Sequence, residues 1–407
     1  MEILYNDNID PPLRNAVYKQ YFGGIVLKKN HFSQNSIRVL CLLLIVTLFV
    51  PVLTACGKES PITTVFAASD FQPYKGSKDD PEQGQLYMQT IIRQMKKDGY
   101  NIESALLCGD YSKNANTWAN VDSTLNNSGV TAIAEVLEGE LGLSHENAVF
   151  VQGNHDPANT EGLDPFGAND TEDYGVFVIH EDNYQWKQGS GNKTGNENTD
   201  AAESAAATAK ELETYLRAKA DEKYEKPIFI CSHVPLHYSY RTFIGASLDN
   251  IHAKLIFDVL NEYGKKLNII FLFGHNHSDT HDDYLGGGAV YLPIGDTILI
   301  DDGGESRSFS EHTLAFTYLN AGYLGYYDGE CTGSGISSTV FAIYPDHVEV
   351  ARYSYAPKDG VPAAALSSAK EAGIWDRDHN LAFSNKDVNT STIYEGIQTI
   401  KLKTFPT

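Results

Sequence analysis

The chain has 407 residues, enough for one large domain or two ordinary ones. Its 42% hydrophobic and 21% charged content excludes wholesale disorder, and 24 Tyr with 18 Phe favours a strand-rich core over a coiled coil. A net charge of −22 makes nucleic-acid polymers and anionic lipid surfaces poor electrostatic partners.

Residues 1–55 read as a processing signal. Lys28, Lys29 and Arg38 precede an apolar run, Val39 to Leu53, broken by Thr47 and Pro51. The run falls short of the roughly 20 apolar residues that span a bilayer, and it fits a signal-peptide core behind basic residues. It ends in Leu53-Thr54-Ala55-Cys56-Gly57, which resembles the lipobox of bacterial lipoproteins. That resemblance implies cleavage before Cys56 and a lipid on its sulfur. Residues 56–62 would then tether an exported protein to the outer face of a bacterial membrane. A buried helix or a single membrane anchor is the plainer reading of the same run. Of the other cysteines, Cys41 lies in the signal, and Cys108, Cys231 and Cys331 lack metal-type spacing. Cys108 and Cys231 sit inside apolar runs and read as buried small side chains.

From Ile62 onward, short apolar runs alternate with amphipathic stretches. Ile62–Ser69 reads as a buried strand. Glu82–Lys97 reads as a helix, with Leu86, Ile91, Ile92 and Met95 on one face and Gly99 past its end. Ser104–Cys108 is a second strand, Val121–Leu141 a second helix, and Ala148–Gln152 a third strand. Pro157–Asp200, rich in Asn, Gly, Asp and Glu, reads as an insertion with one strand-like patch at Tyr174–His180. Pro227–Cys231 and Asn268–Phe273 are further strands, separated by a helix at about Ile251–Tyr263. Strands alternating with helices imply crossovers and a layered α/β sheet. After His277 the pattern turns to strand after strand, at Ala289–Pro293, Thr297–Ile300, Leu314–Leu319, Ser338–Ile343 and His347–Tyr353. Residues 356–407 read as a peripheral tail or edge.

The ends of the strands carry the chemistry. Five successive strands run into Asp70-Phe71-Gln72, Gly109-Asp110, Gly153-Asn154-His155-Asp156, His233, and Gly274-His275-Asn276-His277. Ligands of α/β sheets collect outside the carboxyl ends of strands, so these side chains are expected to converge. Asp and Asn oxygens with His nitrogens suit hard or borderline divalent metals and need no thiolate. A shared carboxylate can bridge two ions about 3.5–4 Å apart, a pair that activates water and clamps phosphate. Taken singly, His233 reads more readily as a structural histidine, and Asp110 and Asn154 as turn residues. The set of five is what points to metal.

This ordered set resembles the calcineurin-like metallophosphoesterase superfamily, whose pattern runs D-x-H, G-D, G-N-H-[DE], H and G-H-x-H. The resemblance spans roughly Thr63 to Tyr353 and implies a four-layer α/β/β/α sandwich, with a catalytic domain at 63–355. It implies one metal held by Asp70, Gln72, Asp110 and His277, and a second held by Asp110, Asn154, His233 and His275. It places His155 beside the phosphate as proton donor to the leaving oxygen, with Asp156 orienting the imidazole. One position departs from the pattern: Gln72 stands where histidine is common. Its neutral amide oxygen moves the expected metals towards manganese, with iron or zinc as the other candidates. Lys113 stands where the purple acid phosphatase branch has tyrosine, which disfavours that branch.

The implied activity is hydrolysis of a small phosphate ester or pyrophosphate, nucleotide-like ones among them, by in-line attack of a metal-bridging hydroxide. One alternative is a surface lipoprotein that keeps the scaffold for ligand binding and has lost turnover; another is hydrolysis of a thioester or amide. His237, His281 and Tyr111 lie near the site in sequence and stand open between a site role and a structural one. Tyr174, Tyr184 and Trp186 either stack on a ligand or pack the insertion onto the domain.

Overall fold

The computed structural model describes residues 59–71, 74–75, 78–79, 81–111, 123–156, 162–180, 197–237, 252–275, 291–302, 308–324, 336–355 and 397–405. The leader with Cys56, the expected ligands Gln72 and His277, and His281, Tyr184 and Trp186 lie outside these residues. Apart from Glu59 and Ser60, the described residues belong to one unit, Pro61–Thr407. Among them no helix is long and apolar enough to cross a membrane.

In chain order the strands among the described residues are β1 (Thr63–Ala68), β2 (Tyr74–Lys75), β3 (Lys78–Asp79), β4 (Ser104–Leu107), β5 (Ala148–Phe150), β6 (Gly167–Ala168), β7 (Gly175–Ile179), β8 (Pro227–Ser232), β9 (Asn268–Phe273), β10 (Tyr291–Leu292), β11 (Thr297–Asp301), β12 (Phe309–Thr313), β13 (Thr317–Asn320), β14 (Gly322–Tyr323), β15 (Ile336–Ile343), β16 (His347–Tyr355) and β17 (Gln398–Lys401). The helices are α1 (Pro81–Lys97), α2 (Ser123–Leu141), α3 (Glu197–Asp221) and α4 (Ala253–Gly264).

Two sheets dominate. The first is seven-stranded, in the order β17-β16-β15-β1-β4-β5 with β14 beside β15. Its β1, β4 and β5 run parallel, and β15 returns antiparallel to β1. The second is six-stranded, in the order β10-β13-β9-β8-β7-β6, with β7, β8, β9 and β13 parallel.

Side-chain alternation explains the layering. On β1, Val65 and Ala67 face a buried cluster shared with Val176, Phe229 and Leu272 of the second sheet. Phe66 and Ala68 point the other way, into a cluster with Met88, Ile91, Ile92 and Met95 of α1 and Ile133 and Leu137 of α2. On β9, Ile270 and Leu272 face the first sheet, while Ile269, Phe271 and Phe273 meet Leu212 of α3 and Ile256 and Leu260 of α4. The order is helix, sheet, sheet, helix, the four-layer α/β/β/α sandwich that the resemblance to metallophosphoesterases implies.

Three details go beyond the sequence reading or correct it. Helices cover both sheets, and β8 and β9 lie in the second sheet, away from β1, β4 and β5. The late strands divide: β13 and β10 join the second sheet, but β15, β16 and β17 return to the first, where Phe341 and Ile343 of β15 fill the space between sheets. Residues 157–200 contain β7, a fully buried strand of the second sheet, and the start of α3. Helix α3 escapes the sequence pattern because its stripe is largely alanine, punctuated by Leu212 and Leu216.

Candidate metal centre

Three of the site residues follow strands that stop in an unusual backbone turn. Among the described residues Asp70, Asp110 and His275 take φ of 52°, 58° and 66°; Lys223 is the other non-glycine residue with positive φ. Left-handed backbone is disfavoured for side chains with a Cβ and persists where the surroundings enforce it, often at functional sites. Here it falls just beyond the ends of β1, β4 and β9, at Ala68, Leu107 and Phe273.

Glycines allow the turns to interlock. A Cβ on Gly109 would stand 2.7 Å from His233 Nδ1 and 2.9 Å from Gly153 Cα. One on Gly153 would overlap the Asp110 carboxylate and amide nitrogen, and one on Gly274 would overlap the Ser69 side chain. Backbone hydrogen bonds join neighbouring turns within each sheet: Asp70 N–H to Gly109 O at 2.9 Å in the first, and Gly274 N–H to His233 O at 2.8 Å in the second.

Four side chains meet in the resulting space. Asp110 Oδ2 lies 3.2 Å from His233 Nε2. Asn154 Oδ1 lies 2.9 Å from His233 Nε2 and 2.9 Å from His275 Nδ1. Asp110, His233 and His275 offer ligand atoms that all fall within 4.8 Å of one another, a grouping that can hold a metal ion. His233 Nδ1 is 2.7 Å from Cys108 O, to which it donates, so Nε2 is the nitrogen that faces the site. Two oxygens and a ring nitrogen then point at one another. Only a proton or a cation between them makes that arrangement favourable.

The electrostatics agree. Burial alone raises the Asp110 carboxyl, but the charges of His233 and His155 outweigh it and hold the group well below the usual carboxylate range. Burial lowers the His233 imidazole, yet the Asp110 carboxylate beside it prevails and pushes it up to about 10. A buried anion is thus balanced by positive charge at the place where a metal would sit. The donors are oxygen and imidazole nitrogen, a fit for manganese, zinc or iron. The thiols of Cys108 and Cys231 are buried between the sheets instead.

Asp70 is fully buried, and its Oδ2 accepts the His275 N–H at 2.9 Å. His155 sits at the rim. Its N–H donates to Asp110 Oδ1 at 2.8 Å, and its Nε2 lies 4.0 Å from Asp110 Oδ2. Its side chain is 19% exposed, against 1% for Asp110 and none for His233, so it borders the open side of the cluster.

Asp156 has a role in the backbone of the site. Its carboxylate accepts from the backbone N–H groups of Asp110 (2.7 Å), Tyr111 (2.8 Å) and Gly153 (2.9 Å). Those bonds staple the Gly109–Tyr111 turn to the Gly153–Asp156 turn. Tyr111 has a structural place, its hydroxyl within hydrogen-bond distance of the backbone oxygens of Leu107 (2.9 Å) and Val151 (2.7 Å), between which its one proton is shared. His237 is buried with Nδ1 2.8 Å from the Tyr318 hydroxyl. Tyr174 packs edge-on against Phe229 and donates to Ser104 Oγ at 2.7 Å.

One residue that the sequence reading missed is His180, which ends β7. Its Nδ1 accepts the Gln152 N–H at 2.9 Å while Nε2 approaches Asp164 O at 2.5 Å. It thereby ties the second sheet to the turn that carries Asn154 and His155. Its signal was its place after a buried run, a strand end like the other five.

No family model and no curated protein matches the chain. Among solved structures it is similar to a dimetal phosphatase from Danio rerio, at 10% identity and a TM-score of 0.44, over 72% of this chain and 96% of that one. It is also similar to a Vps29 single mutant from Entamoeba histolytica, at 11% identity and a TM-score of 0.28, over 72% of this chain and 93% of that one. A 5'-nucleotidase precursor from Thermus thermophilus aligns at 9% identity with a TM-score of 0.30, over 77% of this chain and 59% of that one. These are distant likenesses; what the centre can do follows from its own side chains.

Proposed function

We propose that the chain is a metal-dependent hydrolase of small phosphate esters or pyrophosphates, of the calcineurin-like metallophosphoesterase type. The observation that carries this reading is the meeting of Asp110, Asn154, His233 and His275 at strand ends drawn from both sheets. In the reading, Asp110, Asn154, His233 and His275 hold one divalent ion, and Asp70, Gln72, Asp110 and His277 hold another. Manganese is the metal that the Gln72 amide favours. Bound ions of this kind supply a water that ionises near neutral pH and positive charge opposite the phosphate.

The remaining work falls to protein groups. His155, fixed through its amide to Asp110 and bordering the open side, is placed to give a proton to the leaving oxygen. Asp156 keeps the two turns in register, so that His155 and Asp110 hold their spacing. The net charge of −22 favours compact phosphate esters, nucleotide-like ones included, over nucleic-acid polymers. The test is His155→Ala assayed on p-nitrophenyl phosphate and bis-p-nitrophenyl phosphate with saturating manganese. Turnover should fall by about 100-fold or more while bound manganese is unchanged. A wild-type protein that binds manganese yet turns over neither compound would turn the reading towards a binding role.

The segment Leu53–Gly57 supports export and a lipid on Cys56. Under this proposal the acidic enzyme is held to the outer face of a bacterial membrane by its lipid. Labelled palmitate should enter the wild-type protein and be absent from Cys56→Ser, which should leave the membrane fraction. Equal labelling of both proteins would sink the anchor.

A further inference from the structure

Arg352, on β16, is 3% exposed and alternates in phase with Val348 and Val350, which face the space between the sheets. Among the described residues its guanidinium reaches neutral acceptors. Nη1 donates to Asn320 O at 2.6 Å and to Thr339 Oγ1 at 3.0 Å. Nη2 donates to Ser337 Oγ at 2.8 Å and Asn320 Oδ1 at 3.2 Å. Burying a cation is costly, and an apolar residue in such a place is often as stable or more so. A planar fork with several donors, by contrast, fixes geometry in a way that no apolar residue can.

What it fixes is a turn that backs the metal centre. Asn320 closes β13 beside the last residue of β9, Phe273. Its Oδ1 also accepts the Gly322 N–H at 2.9 Å. From there the chain makes two bonds to strands that deliver site residues. Ala321 N–H reaches Phe273 O at 2.7 Å, two residues before His275, and Leu324 N–H reaches Ser69 O at 3.0 Å, one residue before Asp70. Asp70 and His275 are themselves joined, His275 N–H to Asp70 Oδ2. The turn at 320–324 therefore braces both left-handed strand ends from behind, and Arg352 clamps the turn.

We propose that Arg352 is a positioning residue for the metal centre. Through Asn320 it sets the spacing of Asp70 and His275, and hence the affinity and geometry of the metals they hold. The inference rests on the proposed metal-dependent function. It predicts that losing the fork weakens metal binding beyond any effect on the fold.

The test uses the full chain, stripped of metal and titrated with cobalt(II), with unfolding followed in parallel by circular dichroism. Arg352→Lys keeps the charge and loses the fork; Thr339→Val removes one of its acceptors. Cobalt affinity should fall about 10- to 100-fold in Arg352→Lys, the range typical of groups that orient metal ligands, and by a smaller step in Thr339→Val. The visible cobalt spectrum should change shape in Arg352→Lys. A lowered unfolding midpoint with wild-type cobalt affinity and spectrum would overturn the inference and leave Arg352 as a fold staple. Should Arg352→Lys not fold, Thr339→Val decides alone, and an unchanged isotherm rejects the proposal. A wild-type chain that binds no cobalt would instead overturn the proposed function, and this inference with it.

Discussion

Asp110→Ala should abolish manganese-stimulated hydrolysis of both nitrophenyl phosphates and empty the centre of metal. The size of the effect follows from how much converges on one carboxylate. Its Oδ2 faces His233 Nε2 at 3.2 Å, and its Oδ1 accepts the His155 amide at 2.8 Å. In the proposed function it is also the group shared by both ions. Changes to groups that merely orient ligands cost about 10- to 100-fold in affinity or activity, so loss of the shared ligand should exceed about 100-fold. Asp110→Asn separates charge from shape, since it preserves the outline and removes the anion. Both variants should lose metal, as measured by elemental analysis, and both should lose turnover. Near-wild-type hydrolysis by Asp110→Ala would sink the two-metal reading, because that reading makes this carboxylate the one ligand both ions share.

The site was legible in the sequence because each part is a local signal, a buried run that ends in a ligand-type side chain, with a glycine just before it in three of the five. Asp110, Asn154, His233 and His275 needed no knowledge of which sheet each strand joins. The partition into sheets was not legible. Pairing β15 with β1 spans most of the chain, and only the register Thr63↔Ile343 to Ala67↔Thr339 reveals it. Roles that depend on distant backbone were hidden for the same reason. Asp156 sits next to His155 in sequence, which invites a side-chain pairing, yet two of the three amides it accepts from are 45 and 46 residues away. Nothing local in the sequence singles out Arg352, one charged residue of a late strand. The only hint was its phase, Val348, Val350 and Arg352 alternating onto one face of β16. His180 was absorbed into an acidic, glycine-rich stretch that reads as an insertion, although it closes a strand as buried as β8.

The interlocked turns carry the second large effect. Gly153→Ala should cost about 2–3 kcal/mol of unfolding free energy, within the range for adding a methyl group to a full space, and should weaken manganese binding as well. A new Cβ there overlaps Asp110 Oδ1 and the Asp110 amide nitrogen. Neither can yield cheaply. The amide is held by Asp156 Oδ2 at 2.7 Å, the same oxygen that takes the Gly153 N–H at 2.9 Å. The carboxylate is held by His233 and the His155 amide. Relief must come from moving one turn off the other, which displaces Asp110 from Asn154. Gly139→Ala is the matched control, since Gly139 lies within α2 and a Cβ there meets nothing within 4 Å. That change should raise stability by about 0.5–1 kcal/mol through helix preference and leave hydrolysis untouched. Urea unfolding of the two variants, with manganese titrations alongside, should therefore give shifts of opposite sign. If Gly153→Ala proves as benign as Gly139→Ala, the two turns are not packed against each other, and the close contact that sets Asp110 against Asn154 and His233 is lost as an explanation of the centre.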